Sequence, residues 1–147
     1  MEPHNADVFT WQARYSVGVP EIDAQHKKLI ELINELFKAM RVGGGDHIMA
    51  KLFDSLLKYT QQHFAFEENL MRKGRYSGLE AHIEEHRKLI SQVHDLRTKF
   101  LLGKIAISIQ VMTFLKEWLQ AHILGSDAKY AQVLRSAGFA NPATTRV

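Results

Sequence analysis

Cysteine is absent from the 147 residues, which excludes disulfides, thiolate metal sites, iron–sulfur clusters and cysteine nucleophiles. That absence fits a reducing compartment. Long apolar runs are missing as well: nothing approaches the ~20 consecutive apolar residues of a membrane span. The first ten residues carry Glu2 and Asp7 and lack the basic start and apolar stretch of a secretory signal. A cytoplasmic location without a membrane span is therefore expected. The formal net charge of +3 is dispersed, as in Lys27, Lys28, Glu31 and in Glu84, Glu85, Arg87, Lys88. Charge spread in this way reads as solvated helix faces, and no nucleic-acid partner is expected. Strand-hairpin signals, internal repeats and low-complexity stretches are also lacking.

What is present is the mixture of one compact domain spanning 1–147, with 46% hydrophobic and 24% charged residues. A chain of this length buries roughly 70% of its unfolded surface, enough to enclose a dry internal site without covalent staples. Apolar residues recur at helical spacing in four stretches. Helix A is expected over 21–42, with Ile22, Leu29, Ile30, Ile33, Leu36, Phe37 and Met40 inward and Gly43-Gly44-Gly45 ending it. Helix B is expected over 46–73, capped by Asp46, with Met49, Leu52, Phe53, Leu56, Thr60, Leu70 and Met71 inward. Helix C follows over 79–102, with Leu79, Leu89, Val93, Leu96 and Phe100, and helix D over 106–125, with Val111, Leu115, Trp118 and Leu119. A short C-terminal helix is expected over 128–136, followed by a polar frayed end, 141–147. Residues 1–20 form an N-terminal arm, whose Phe9, Trp11, Tyr15, Val17 and Val19 lie extended over the bundle up to Pro20 at the helix start. Short glycine-containing turns between helices of comparable length dictate an all-α, up-down-up-down antiparallel four-helix bundle.

The informative residues are those interrupting the apolar stripes. His26 lies on the inward stripe of helix A, His63 and Glu67 on that of helix B, His82 and His86 on that of helix C, and His122 on that of helix D. One histidine on an apolar face is usually a hydrogen-bonded core residue, but here five coincide. Burying a carboxylate among them, with no Lys or Arg on the same stripe, costs several kcal/mol unless a cation is present. In an up-down-up-down bundle the starts of helices A and C share one end with the finishes of B and D, so all six residues meet in one layer. His63–Glu67 and His82–His86 are i,i+4 pairs able to converge. Asp127, five residues beyond His122, would point about 140° away on a regular helix. For it to join the layer, Gly125-Ser126 must mark a helix end or a π-type widening.

Five imidazoles and two carboxylates exceed the roughly four ligands of one zinc and point to two ions among iron, manganese and zinc. Two six-coordinate ions offer about twelve positions; five imidazoles, two bridging carboxylates and one bridging oxygen fill about eleven, leaving one for a small ligand.

Val17-Gly18-Val19, Ile22-Asp23-x-Gln25-His26-Lys27-x-Leu29, His63-x-x-x-Glu67-Glu68, His82-x-x-x-His86 and His122-Ile123-x-x-x-Asp127-x-x-Tyr130 together resemble the hemerythrin family in order and spacing, from Trp11 to about Tyr130. The arm with Trp11 is similar to the bacterial branch. The resemblance implies two irons and no haem: His82, His86 and His122 on one iron, His26 and His63 on the other, with Glu67, Asp127 and an oxo or hydroxo group bridging. It implies reversible dioxygen binding for storage or delivery, as hydroperoxide at the iron held by His26 and His63, and not an enzyme. Alternatives are an oxygen or redox sensor acting through a partner protein, and a di-iron enzyme reducing peroxide or nitric oxide. An imidazole-rich shell supports binding over activation, since neutral ligands make high-valent iron less accessible. Leu29, Phe64, Trp118 and Ile123 are the expected oxygen-pocket wall. Gly125 stands where animal members tend to carry a bulkier side chain, which bears on pocket access. No role is expected for His4, His47 or His94.

Overall fold

The computed structural model describes residues 9–43 and 45–136; the first eight residues with His4, Gly44, and the tail expected at 141–147 lie outside the described residues. The elements run from a 3-10 turn at Ala13–Tyr15 through α1 (Pro20–Arg41), α2 (Asp46–Lys73), α3 (Leu79–Leu101) and α4 (Ile109–Ala121) to a π-helical turn (His122–Asp127) and α5 (Ala128–Ser136). Among the described residues there is no strand, and no helix is long and apolar enough to cross a membrane. Helix α1 packs on α2 and α4, and α2 also packs on α3 and α5. The result is an all-helical bundle.

Local chemistry sets the ends. Pro20 occupies the first turn of α1, where its missing N–H costs nothing. Glu21 and Asp23 sit at the positive end of the same helix, and Lys38 and Arg41 at the negative end. Gly43, at φ 71°, takes the left-handed conformation that stops it. Gly45, not Asp46, occupies the cap of α2, and Asp46 is its first helical residue. Helix α4 begins three residues later than the apolar pattern implies. Ser108 is extended and its hydroxyl accepts the Val111 N–H at 3.3 Å. The preceding residues instead place Ile107 in the core. The inward line of α4 is Met112, Leu115, Trp118 and Leu119, while Val111 is only half-buried.

The chain does not break after α4. It widens into the π turn and continues into α5, so the short C-terminal helix extends the fourth helix of the bundle. Two apolar layers result. The larger contains Leu29, Ile33, Leu36, Phe53, Leu56, Phe64, Val93, Met112, Leu115 and Leu119. The smaller, around Val17, Val19, Ile22, Met71, Tyr130 and Ala131, closes the end where α1 starts and α2 finishes. The arm supplies part of both layers, through Phe9 and Tyr15 in the first and Val17 and Val19 in the second. It is pinned by a reciprocal pair of bonds, Phe9 N–H to Asn34 Oδ1 at 3.0 Å and Asn34 Nδ2 to the Phe9 carbonyl at 2.7 Å. Asp23 accepts the Val17 N–H at 2.8 Å, and Arg135 of α5 donates to the Val17 carbonyl.

Candidate metal centre

Between the two apolar layers lies a polar one. His26, His63, Glu67, His82, His86, His122 and Asp127 are all buried, Glu67 and Asp127 completely. Residues ahead of each on its helix belong to one layer and residues behind to the other: Ile22 and Leu29 flank His26, and Ile123 and Tyr130 flank Asp127. The π turn answers the spacing problem posed by Asp127. One extra residue in the helical turn brings it onto the face of His122, with His122 Nε2 at 3.0 Å from Asp127 Oδ1.

The seven side chains divide into two donor sets, each compact enough for one ion. Glu67, His82, His86, His122 and Asp127 form the first, and His26, His63, Glu67 and Asp127 the second, with ligand atoms inside 4.8 Å of one another. The two carboxylates are shared, and their oxygens are apportioned. Glu67 Oε2 lies 3.1 Å from His63 Nε2 and 3.5 Å from His26 Nε2, whereas Oε1 lies 3.1 Å from His86 Nε2 and 3.8 Å from His122 Nε2. Asp127 Oδ2 is 2.8 Å from His26 Nε2, while Oδ1 is 3.3 Å from His82 Nε2 and 3.0 Å from His122 Nε2.

These contacts leave Nε2 of His63, His82, His86 and His122, Glu67 Oε1 and Asp127 Oδ1 buried without a hydrogen-bond partner. Buried polar atoms are normally satisfied, so six unsatisfied ones facing a common centre fit a cation. The outer nitrogens are held. His63 Nδ1 donates to Gln25 Oε1 at 2.6 Å, His86 Nδ1 to Glu68 Oε2 at 2.8 Å, and His122 Nδ1 to Glu85 Oε2 at 2.8 Å. Such outer bonds fix the tautomer that presents Nε2 inward. The Tyr130 hydroxyl donates to Glu67 Oε2 at 2.9 Å.

The electrostatics agree. Burial pushes the His26 imidazole down, but the hydrogen bond to Asp127 and the nearby Glu67 carboxylate carry it up to about 9. His122 is disfavoured by burial yet held well above its ordinary value by Asp127, Glu67 and Glu85. Burial raises the Glu67 carboxyl, and His63, His122 and His26 more than reverse it, leaving it well below the carboxylate range. For Asp127, burial and the Glu67 charge raise it while His122 and His26 hold it low. Burial and the two carboxylates push the Tyr130 phenol far up, so it stays a donor. Two buried carboxylates thus stay ionised by drawing positive charge onto imidazoles, a role that a cation fills better.

Of the expected pocket wall, Leu29, Phe64, Trp118 and Ile123 are all buried in the larger layer. Phe64 stacks flat on His86, with ring centroids 3.7 Å apart and planes at 2°, and tilts against His63 and His122. It therefore positions ligands of both sets. Trp118 borders a groove of about 350 Å³ between α3 and α4 that reaches His122 and Glu85. Gly125 is exposed, and a Cβ added there would meet nothing within 4 Å. His47 and His94 are exposed on the bundle surface. Gln25, Glu68 and Tyr130 enter the sequence reading only as members of the hemerythrin-like motifs, with no role of their own, and Glu85 is not among those motifs. Glu85 in particular reads as one more charge on a solvated face. The available signal was positional, because Glu85 directly precedes His86 and Glu68 directly follows Glu67.

The sequence model described as the hemerythrin HHE cation binding domain matches residues 17–134. The chain belongs to the hemerythrin family. It is 34% identical over 129 residues to a bacteriohemerythrin of Stenotrophomonas maltophilia (strain R551-3), covering 88% of this chain and 83% of that one. It is 36% identical over 126 residues to a hemerythrin-like protein of Naegleria gruberi, with coverage of 86% and 93%. The crystal structure of a wild-type hemerythrin superposes with a TM-score of 0.80 at 32% identity, covering 86% of this chain and 98% of that one. This is a hemerythrin-type metal-binding domain, with a histidine and carboxylate cluster suited to hold the metal.

Proposed function

We propose that the protein binds dioxygen reversibly at a pair of non-haem irons, as a carrier or store rather than a catalyst. The observation that carries this reading is the sharing of Glu67 and Asp127 between a three-histidine and a two-histidine set, one oxygen of each carboxylate turned to each side. Imidazole and carboxylate donors without thiolate suit iron. His82, His86 and His122 with one oxygen each of Glu67 and Asp127 would hold one iron, and His26 and His63 with the other two oxygens would hold the second with one donor fewer. The two-histidine side therefore keeps the place for a small ligand. When bound, the iron pair supplies two electrons to dioxygen and recovers them on release.

The chain's own residues favour reversibility. Five neutral imidazoles against two carboxylates give a weakly anionic shell, which disfavours the high-valent iron of oxygen-activating centres. Leu29, Phe64, Ile123 and the body of Trp118 make the inner side of the layer apolar, and Val17, Val19, Ile22 and Met71 close the other. Exclusion of water slows proton-driven loss of reduced oxygen species and irreversible oxidation. The hydrogen bonds to Gln25, Glu68 and Glu85 hold three imidazoles in place through the cycle.

The test is anaerobic reduction of iron-loaded protein followed by cycles of oxygen exposure and removal. A carrier shows an oxygen-dependent charge-transfer band that vanishes under vacuum and returns over several cycles. Irreversible conversion to the oxidised form in the first cycle overturns the reading in favour of an enzyme or redox sensor.

A further inference from the structure

The outer hydrogen bonds of the centre are not distributed evenly. Both anionic partners back the three-histidine set: Glu68 accepts from His86 and Glu85 from His122, each at 2.8 Å. On the two-histidine set, His63 donates to the neutral amide oxygen of Gln25, and His26 Nδ1 has no partner. The shared carboxylate adds to the asymmetry. Tyr130 donates to Glu67 Oε2, the oxygen turned toward His63 and His26, and not to Oε1, which faces His86 and His122.

We propose that Glu68 and Glu85 bias the metal held by His82, His86 and His122 toward its higher charge state, while Gln25 and Tyr130 leave the metal held by His26 and His63 the more readily reduced. This rests on the reading that the centre holds two irons. A carboxylate accepting an Nδ1–H draws the proton toward itself and increases electron density at Nε2, which stabilises ferric over ferrous iron. An amide oxygen does this far less. A phenol donating to a carboxylate oxygen withdraws density from that ligand and acts in the opposite sense. All four residues therefore separate the two irons in potential. In stepwise oxidation by a one-electron mediator dye, the first electron leaves the three-histidine iron, giving ferric there and ferrous opposite. The iron with room for a small ligand is thus the last to lose its electron.

Glu68 is about one-fifth exposed and Glu85 about two-fifths, so both lie at the edge of the dry core. Replacing each by glutamine keeps the acceptor and its shape while removing the charge. Glu84, paired with Arg87 on the exposed side of α3, touches no ligand and serves as the control.

The experiment is a mediator-coupled redox titration of fully iron-loaded protein, followed by the spectra of the two one-electron steps, with iron per chain measured on each sample. Glu68→Gln and Glu85→Gln are expected to raise the more negative step by about 59 mV each, a tenfold change in the ferric-to-ferrous ratio. Gln25→Glu and Tyr130→Phe are expected to lower the more positive step, and Glu84→Gln to move neither. If the glutamate variants lose iron, the Gln25 and Tyr130 variants decide. The proposal is overturned if variants holding two irons leave the gap between steps unchanged, or if both classes of variant move the same step. A wild-type chain that takes up fewer than two irons overturns instead the reading beneath it.

Discussion

His26 Nε2 lies 2.8 Å from Asp127 Oδ2, closing the bundle between two residues 101 positions apart. This pair couples the start of α1 to the π turn and ties proton binding to folding. In metal-free protein the His26 imidazole holds its proton up to about pH 9, against about 6.5 for an unfolded chain. The stabilisation is then complete below about pH 6.5 and is lost as pH rises through about 9. Glu67 and Asp127 are shifted down, so their contribution is present above about pH 4 and is lost on acidification. Chelator-treated protein should accordingly be most stable between about pH 4.5 and 6.5, as measured by urea midpoints across the range. The iron-loaded protein should lack the alkaline decline. A metal-free midpoint that rises from pH 6.5 to 9 would contradict the linkage.

His63→Ala removes one of the two imidazoles on the open side while sparing the apolar layers. Helical content by circular dichroism should stay near wild type, iron should fall toward one per chain, and the oxygen-dependent band should disappear. Undiminished oxygen uptake would refute the role of His63.

Phe64→Ala should cost about 3–5 kcal/mol, the usual loss for deleting a buried aromatic ring, because Phe64 is buried and lies flat on His86. Phe64→Leu should cost less. Both are read by denaturant unfolding, and the alanine variant should also weaken iron retention by freeing the His86 ring.

Gly125→Ala is expected to stabilise the protein by about 0.5–1 kcal/mol, since glycine inside a helix is entropically costly and the added methyl meets nothing within 4 Å. The autoxidation rate of iron-loaded protein should not change. A slower rate would place residue 125 at the oxygen pocket, against the geometry found.

How much of this was legible beforehand follows from the range of each interaction. His26, His63, His82, His86 and His122 stand out because a 3.6-residue period places them on stripes otherwise apolar, a purely local signal. Asp127 left two alternatives at Gly125-Ser126, and the fold takes the widened helix. The start of the fourth helix was hidden because Ala106 and Ile107 suit a helix, whereas the Ser108 hydroxyl decides it by capping Val111. For Glu85 the sequence offers only its place next to His86, not its partner. Its partner His122 is 37 positions away on another helix, and only the approach of α3 to the end of α4 brings them together. Tyr130 belongs to the hemerythrin-like motif, but its bond to Glu67 joins two helices across the closed end of the bundle and is not a local signal.

The most direct measurement is the metal content of protein purified without added metal from iron-replete cells, by elemental analysis against quantified chain. Two irons per chain are predicted, with no haem absorption. One zinc per chain, or protein that stays metal-free after anaerobic ferrous loading, would contradict the account.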